Sequence, residues 1–240
     1  IVENDVIKEC ELKDVSNEVD LLLSKEQHDK ALDIYKKDYK EATTVELKAE
    51  ALLKIAWVFE RSGYLENARK TYDKCLKLGM DIRAFVKLGE LQIRMGFIEE
   101  GIDNLEKATC ILREDEEIKL KLAYGYSMLE MGLGKALAIT NEILLKDPTN
   151  LRAIMLSSNI HQKMGNIDIA LEISRAIDSS RNNESIKHYI GLLYLQKQEI
   201  QTAYTSFKEA LRINPRYVPA LVESASILST DSPEAAVRIF

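Results

Sequence analysis

The chain has 240 residues, with 33 Lys and Arg against 39 Asp and Glu and a net charge of −6. Residues 1–50 hold 8 of the basic and 14 of the acidic residues, which leaves 25 of each (33 − 8 and 39 − 14) over residues 51–240. A neutral body without a basic run gives no electrostatic footprint for nucleic acid. With 4 prolines and 10 glycines the chain is not loop-rich or disordered, and no apolar run approaches the roughly 20 residues of a membrane span.

Residues 1–48 are the least regular. Val15-x-x-x-Val19-x-Leu21-Leu22 and Ala31-x-x-x-Tyr35-x-x-x-Tyr39 have helical spacing and read as a degenerate repeat or polar cap. Ala49–Asp81 is the first clear unit. Leu52-x-x-Ile55-Ala56-x-x-Phe59 makes a first helix, Gly63 a turn and Ala68-x-x-x-Tyr72-x-x-Cys75 a second helix, which Gly79 ends. Ile82–Asp115 repeats it with Phe85, Leu88, Gly89, turn glycine Gly96, Gly101 and Leu105. Gly101 stands where alanine is usual, at a cost of about 1 kcal/mol inside a helix, so a very close contact or a weak helix is expected there. Glu116–Asn150 offers Tyr124, Gly125, Met128, Gly132, Ala136 and Pro148, with a register one residue short after the turn. Leu151–Asn183 keeps Ile154, Gly165, Ile167 and Ala170 but places Ser157 and Ser158 where an apolar residue and glycine are usual. Glu184–Tyr217 runs Lys187-x-x-Ile190-Gly191-x-x-Tyr194, then Ala203-x-x-x-Phe207, and closes at Pro215. Residues 218–240 begin a further copy with Leu221, Ala225 and Leu228.

Three landmarks share one period. Gly63 to Gly165, Ala68 to Ala170 and Gly89 to Gly191 are each 102 residues apart, three times 34. The small residues Ala68, Gly101, Ala136, Ala170 and Ala203 step by 33, 35, 34 and 33. The units therefore run over about 49–81, 82–115, 116–150, 151–183 and 184–217, with a partial sixth at 218–240. The pattern resembles the tetratricopeptide repeat, W-x2-L-G-x2-Y…A-x3-F…P, with Lys187 in the tryptophan position. The resemblance implies an all-α, right-handed α-solenoid of antiparallel helical hairpins whose first helices line a concave groove.

No constellation for catalysis stands out. His28, His161 and His188 have no Ser/Asp or Cys arrangement at catalytic or metal-ligand spacing, and His161 takes a core-like slot. No phosphate loop follows a strand. An enzyme is not expected, nor is a cofactor or metal. Cys10, Cys75 and Cys110 have no metal spacing; Cys75 and Cys110 fall in second helices and read as buried structural thiols. Structural thiols fit a reducing compartment, so cytoplasm or nucleus is expected, and Ile1–Cys10 has no signal-peptide layout. The missing initiator Met and the apolar end Val237-x-Ile239-Phe240 fit a segment of a longer chain.

With groove positions assigned from the family, the first helices offer Lys54, Trp57 and Arg61, then Arg83, Val86, Lys87 and Arg94. After these come Lys119, Leu122 and Tyr126, then Arg152, Met155 and Lys163, against Glu50, Glu60, Glu90 and Glu130. This stripe predicts a protein or peptide partner that is acidic with apolar anchors, steered by the cations and gripped by Trp57 and Tyr126. The bland alternatives are ion pairs one turn away and Trp57 as core filler. The carboxylate clamp by which related repeats hold chaperone C-terminal tails is disfavoured. Its slots carry Leu53 and Trp57, then Val86 and Glu90, and Asn159 alone matches. The expected function is a non-enzymatic scaffold within a multi-subunit assembly. The alternatives are self-association through the C-terminal helices as a homo-oligomer and, less favoured, RNA reading by helical hairpins. The acidic, apolar segment Ile1–Glu11 is itself a candidate occupant of the groove.

Overall fold

The computed structural model describes residues 27–181 and 183–231, together with Val19, Leu21, Leu22, Ser24 and Lys25. Ile1–Glu11, Cys10, Val15 and Val237–Phe240 lie outside the described residues, and with them the groove-occupant and chain-end expectations. The described residues form α1 (His28–Glu41), α2 (Val45–Arg61), α3 (Leu65–Leu78), α4 (Ile82–Met95), α5 (Ile98–Ile111) and α6 (Glu116–Ser127). A 3-10 turn (Glu130–Gly132) follows, then α7 (Leu133–Lys146), α8 (Leu151–Lys163), α9 (Ile167–Arg181), α10 (Glu184–Gln196), α11 (Ile200–Ile213) and α12 (Val218–Asp231). No strand occurs among the described residues. The fold is an all-α solenoid of helical hairpins. It divides into two compact units, Ile1–Gly125 and Tyr126–Phe240.

The first helices start where a side chain can replace a missing backbone partner. Thr44 Oγ1 accepts from the Leu47 amide (3.2 Å), Asp81 Oδ1 from Arg83 (2.9 Å) and Asp115 Oδ1 from Ile118 (3.0 Å). Asn150 Oδ1 accepts from Ala153 (3.1 Å) and Asn183 Oδ1 from Ser185 (2.8 Å). Each such cap stabilises by about 1 kcal/mol. The hairpin turns are equally regular. The amides of Tyr64, Phe97, Asn166 and Glu199 each donate to the carbonyl five residues back, at 2.9 Å. The residue just before each is left-handed: Gly63 (φ 79°), Gly96 (90°), Gly165 (81°) and Gln198 (63°). Gly79, by contrast, has φ 179°, extended backbone that any residue adopts, so its place at the end of α3 does not rest on a left-handed cap.

Small residues let the paired helices touch. A Cβ on Gly89 would lie 2.8 Å from the Gly101 carbonyl oxygen, and one on Gly101 2.7 Å from that of Gly89. The glycine in α5 therefore reflects a close contact. In the first unit Tyr35, Leu52, Ile55 and Cys75 belong to one buried cluster, and Ala56, Ala68, Tyr72 and Leu88 to another. In the second, Ala170, Ile190, Leu193, Ala203 and Phe207 are buried together. Each large side chain so buried contributes about 1.5–3 kcal/mol.

The third hairpin departs from the sequence reading. Tyr124 and Met128 are exposed, whereas Ala123 is fully buried and Leu120, Leu122, Tyr126 and Ser127 nearly so. The extra residue of the 35-residue step sits in the turn, so the small position of α6 is Ala123 and the helix face is rotated from that expected. Gly132 is required there by crowding, since a Cβ would collide with the Tyr126 carbonyl oxygen. Cys110 is also corrected: it is exposed, while Cys75 is buried. Cys75 lies seven residues after Ala68 and Cys110 nine after Gly101, and two residues rotate a side chain by about 200°.

Candidate functional site: the first-helix faces

In the first unit the exposed face of the first helices is a ladder of paired charges. Lys54 Nζ lies 3.2 Å from Glu50 and 5.7 Å from the centre of the Tyr35 ring. Arg83 grips its own cap, Nη2 to Asp81 Oδ2 at 2.9 Å. Arg94 reaches back to Glu60 at 2.6 Å, and Glu60 also accepts from the Tyr72 hydroxyl at 3.1 Å. Burial first, then the Glu60 charge, pushes the Tyr72 hydroxyl far up, so it stays protonated as the donor. Lys87 lies 3.7 Å from Glu90, which also holds Lys121; Glu117 is 3.3 Å from the same ammonium. Burial opposes the charge on Lys121, but the hydrogen bonds to Glu90 and Glu117 prevail and raise its pKa. Trp57 is half-buried against the core, with the Arg61 guanidinium 5.9 Å from its ring centre.

The rotated α6 changes which residues share this face. Lys119 and Tyr126 are 9% and 8% exposed, which leaves a ligand little to touch. The Tyr126 ring lies 4.9 Å from the Lys135 ammonium. Counted from the small residues Ala56, Gly89 and Ala123 along each helix, the positions of Lys54, Lys87 and Trp57 recur as Lys121 and Tyr124. Sequence reasoning missed both because the inserted residue lies after, not within, α6. The buried alanine in a run of larger residues was the available signal.

In the second unit the corresponding face is nearly free of charge. Arg152 is exposed in the first turn of α8. Lys163 donates to the Ser127 carbonyl at 2.8 Å. The same unit holds a cavity of about 180 Å³, lined by Met155, Ser158 and Asn159 of α8, Ser174 and Ile177 of α9, and Ile186 and Tyr189 of α10. The Tyr189 hydroxyl donates to Gln162 Oε1 at 3.0 Å, and Gln162 Nε2 donates to Gln196 at 3.1 Å. Burial pushes the Tyr189 hydroxyl up, against the opposing effect of Ser158 and Asn159. Cys75 behaves likewise in the first unit: burial and then Asp81 push its thiol up to about 11, so it stays an unreactive SH.

Lys187 occupies the slot that the repeat pattern gives to tryptophan, and an ion triad takes the place of the ring. Its ammonium lies 2.7 Å from both Asp178 and Glu209. Burial opposes its charge, but those two carboxylates raise its pKa. The neighbouring His188 packs between Phe207 (5.5 Å) and Tyr217 (5.7 Å), and burial lowers its pKa despite Glu223. Among the described residues no group of three or more His, Cys, Asp or Glu is placed to hold a metal ion. No described helix is long and apolar enough to cross a membrane.

Helical hairpins at a 34-residue period, paired through small residues, define the class of the protein, and direct comparison agrees. Residues 49–78 and 186–217 match the tetratricopeptide repeat. The mouse interferon-induced protein with tetratricopeptide repeats 2 is 27% identical over 97 residues, 40% of this chain and 21% of that protein. The bovine BBSome complex member BBS4 is 25% identical over 157 residues, 63% of this chain and 30% of that protein. The chain thus spans between a fifth and a third of these relatives. A tetratricopeptide repeat protein of Parabacteroides merdae superposes with a TM-score of 0.80 at 15% identity, over 93% of this chain and 88% of that one. The chain carries tetratricopeptide repeats at these two stretches and has the fold of tetratricopeptide-repeat proteins.

Proposed function

We propose that the chain is a non-enzymatic scaffold that binds an acidic protein segment with apolar anchors along its first-helix faces, as one subunit of a larger assembly. The observation that carries this reading is the set of exposed cations on α4, Arg83, Lys87 and Arg94, each held by a carboxylate of the chain itself. Exposed ion pairs stabilise by about 0–1 kcal/mol. A partner's carboxylate can therefore replace Glu60 or Glu90 at little cost, while Trp57 and Tyr124 supply apolar contact. Membership of an assembly is supported by the likeness to a BBSome complex member.

The test is a pull-down from cell extract with wild type beside a Lys87→Glu/Arg94→Glu variant, both checked for helicity by circular dichroism. Loss of the wild-type partners is expected. Retention of the same partners by the variant overturns the basic-face reading. A second reading, self-association, is favoured by Val218 and Val222, 62% and 48% exposed on α12. A monomer mass in sedimentation that does not change with concentration removes it.

A further inference from the structure

Three hairpins place a large residue, Tyr72, Leu105 or Phe207, four positions after the small residue of the second helix, whereas the α6–α7 hairpin places the fully buried Thr140 there. Gly89 is covered by Leu105 and Gly191 by Phe207, whose ring a Cβ on Gly191 would strike. Tyr72 holds the same place after Ala68 and is 1% exposed. In the α8–α9 hairpin this place falls to Ser174, four after Ala170, and the small position to Ser158. Their hydroxyls are 2.9 Å apart, which confirms that they face one another as Gly191 and Phe207 do. Both also lie within hydrogen-bond distance of the Ala170 carbonyl, at 3.0 and 2.8 Å, so one hydroxyl can donate to that carbonyl while the other donates to its neighbour's oxygen. The floor they make is therefore satisfied and offers a ligand no unpaired charge.

The cavity of about 180 Å³ opens at this pair. Ser158 and Ser174, which stand where the next hairpin has Gly191 and Phe207, are both among the residues that line it. Met155, Ile177, Ile186 and Tyr189 line it together with Asn159. An apolar cavity of ~150 Å³ in a protein interior takes up a benzene-sized guest. A carboxylate or ammonium placed here would lose its hydration with no opposite charge among the lining residues to replace it.

We propose that this cavity is a binding site for an aromatic side chain, a phenylalanine of a partner protein, which completes the core of the α8–α9 hairpin as Phe207 completes that of α10–α11. Asn159 and Tyr189 are the polar groups in reach of the partner's backbone. The inference rests on the reading of the chain as a protein-binding scaffold but not on the basic face of α4. The cavity lies wholly in the second unit, so the Lys87→Glu/Arg94→Glu variant leaves it intact.

The probe is N-acetyl-phenylalanine methylamide, titrated into the full chain with ¹³C-labelled methionine methyls, with N-acetyl-aspartate methylamide as the charged counterpart. The Met155 methyl is expected to shift saturably with the phenylalanine compound, at least tenfold more tightly than with the aspartate compound. In a Ser158→Gly/Ser174→Phe variant, which restores the glycine–ring pair, the shift is expected to vanish. No saturable shift of Met155 in wild type overturns the proposal, as do equal shifts with both compounds. Should the variant fail to fold, the wild-type comparison decides by itself. Loss of the acidic partners with an intact Met155 response, or the reverse, separates this site from the basic face.

Discussion

The α8–α9 and α10–α11 hairpins are copies of one another in backbone and opposites in core. Asn150 and Asn183 cap their first helices in the same way. Ala170 and Ala203 lie 33 residues apart, both fully buried at the helix crossing. Yet one hairpin lays Phe207 over Gly191, and the other sets Ser174 against Ser158 beside a cavity. The difference teaches that caps, turns and small residues set the repeat's path. The residue four after the small one decides whether a copy is complete within itself.

The sharpest break of this comparison is truncation at the shared position. Phe207→Ala opens a fully buried site and is expected to lower stability by about 3–5 kcal/mol. Ser174→Ala removes hydrogen bonds but no packed ring, and should cost about 0.5–1.5 kcal/mol. Urea unfolding of the two variants checks this, and equal losses would show that the two positions are not filled differently. A smaller effect lies in the turns. Gln198 adopts the left-handed conformation that Gly165 adopts in the preceding hairpin. An L side chain there is strained by about 1–2 kcal/mol, so Gln198→Gly is expected to stabilise by about 1 kcal/mol. Gly165→Ala should destabilise by a similar amount, as read from melting curves.

Much of this was legible in the chain. Local chemistry repeats at a fixed interval, and the turn glycines and the small residues at the crossings act within a few residues. The α6 face was not legible, because one residue added to a turn leaves the helix intact but rotates which of its residues point inward. Lys119 and Tyr126 therefore take, in the sequence pattern, the places on this face that the half-buried Lys121 and the exposed Tyr124 hold. The balance of the α4 face was also hidden, since Glu60 and Arg94 meet across 34 residues and only packing brings them together. Ser174 could have been found at its fixed distance of four from Ala170. Serine in the place of an aromatic is easily passed over when a pattern is scored by what it contains.

The most direct test is calorimetric melting of the Ser158→Gly/Ser174→Phe variant against wild type. If the α8–α9 hairpin is a copy lacking its ring, the buried phenylalanine contributes about 1.5–3 kcal/mol, offset by about 1 kcal/mol for glycine in a helix. The melting temperature should then rise by about 2–4 °C. A lower melting temperature with unchanged helicity would contradict the account, because it would mean that the space beside Ser174 is not the place a ring was left out.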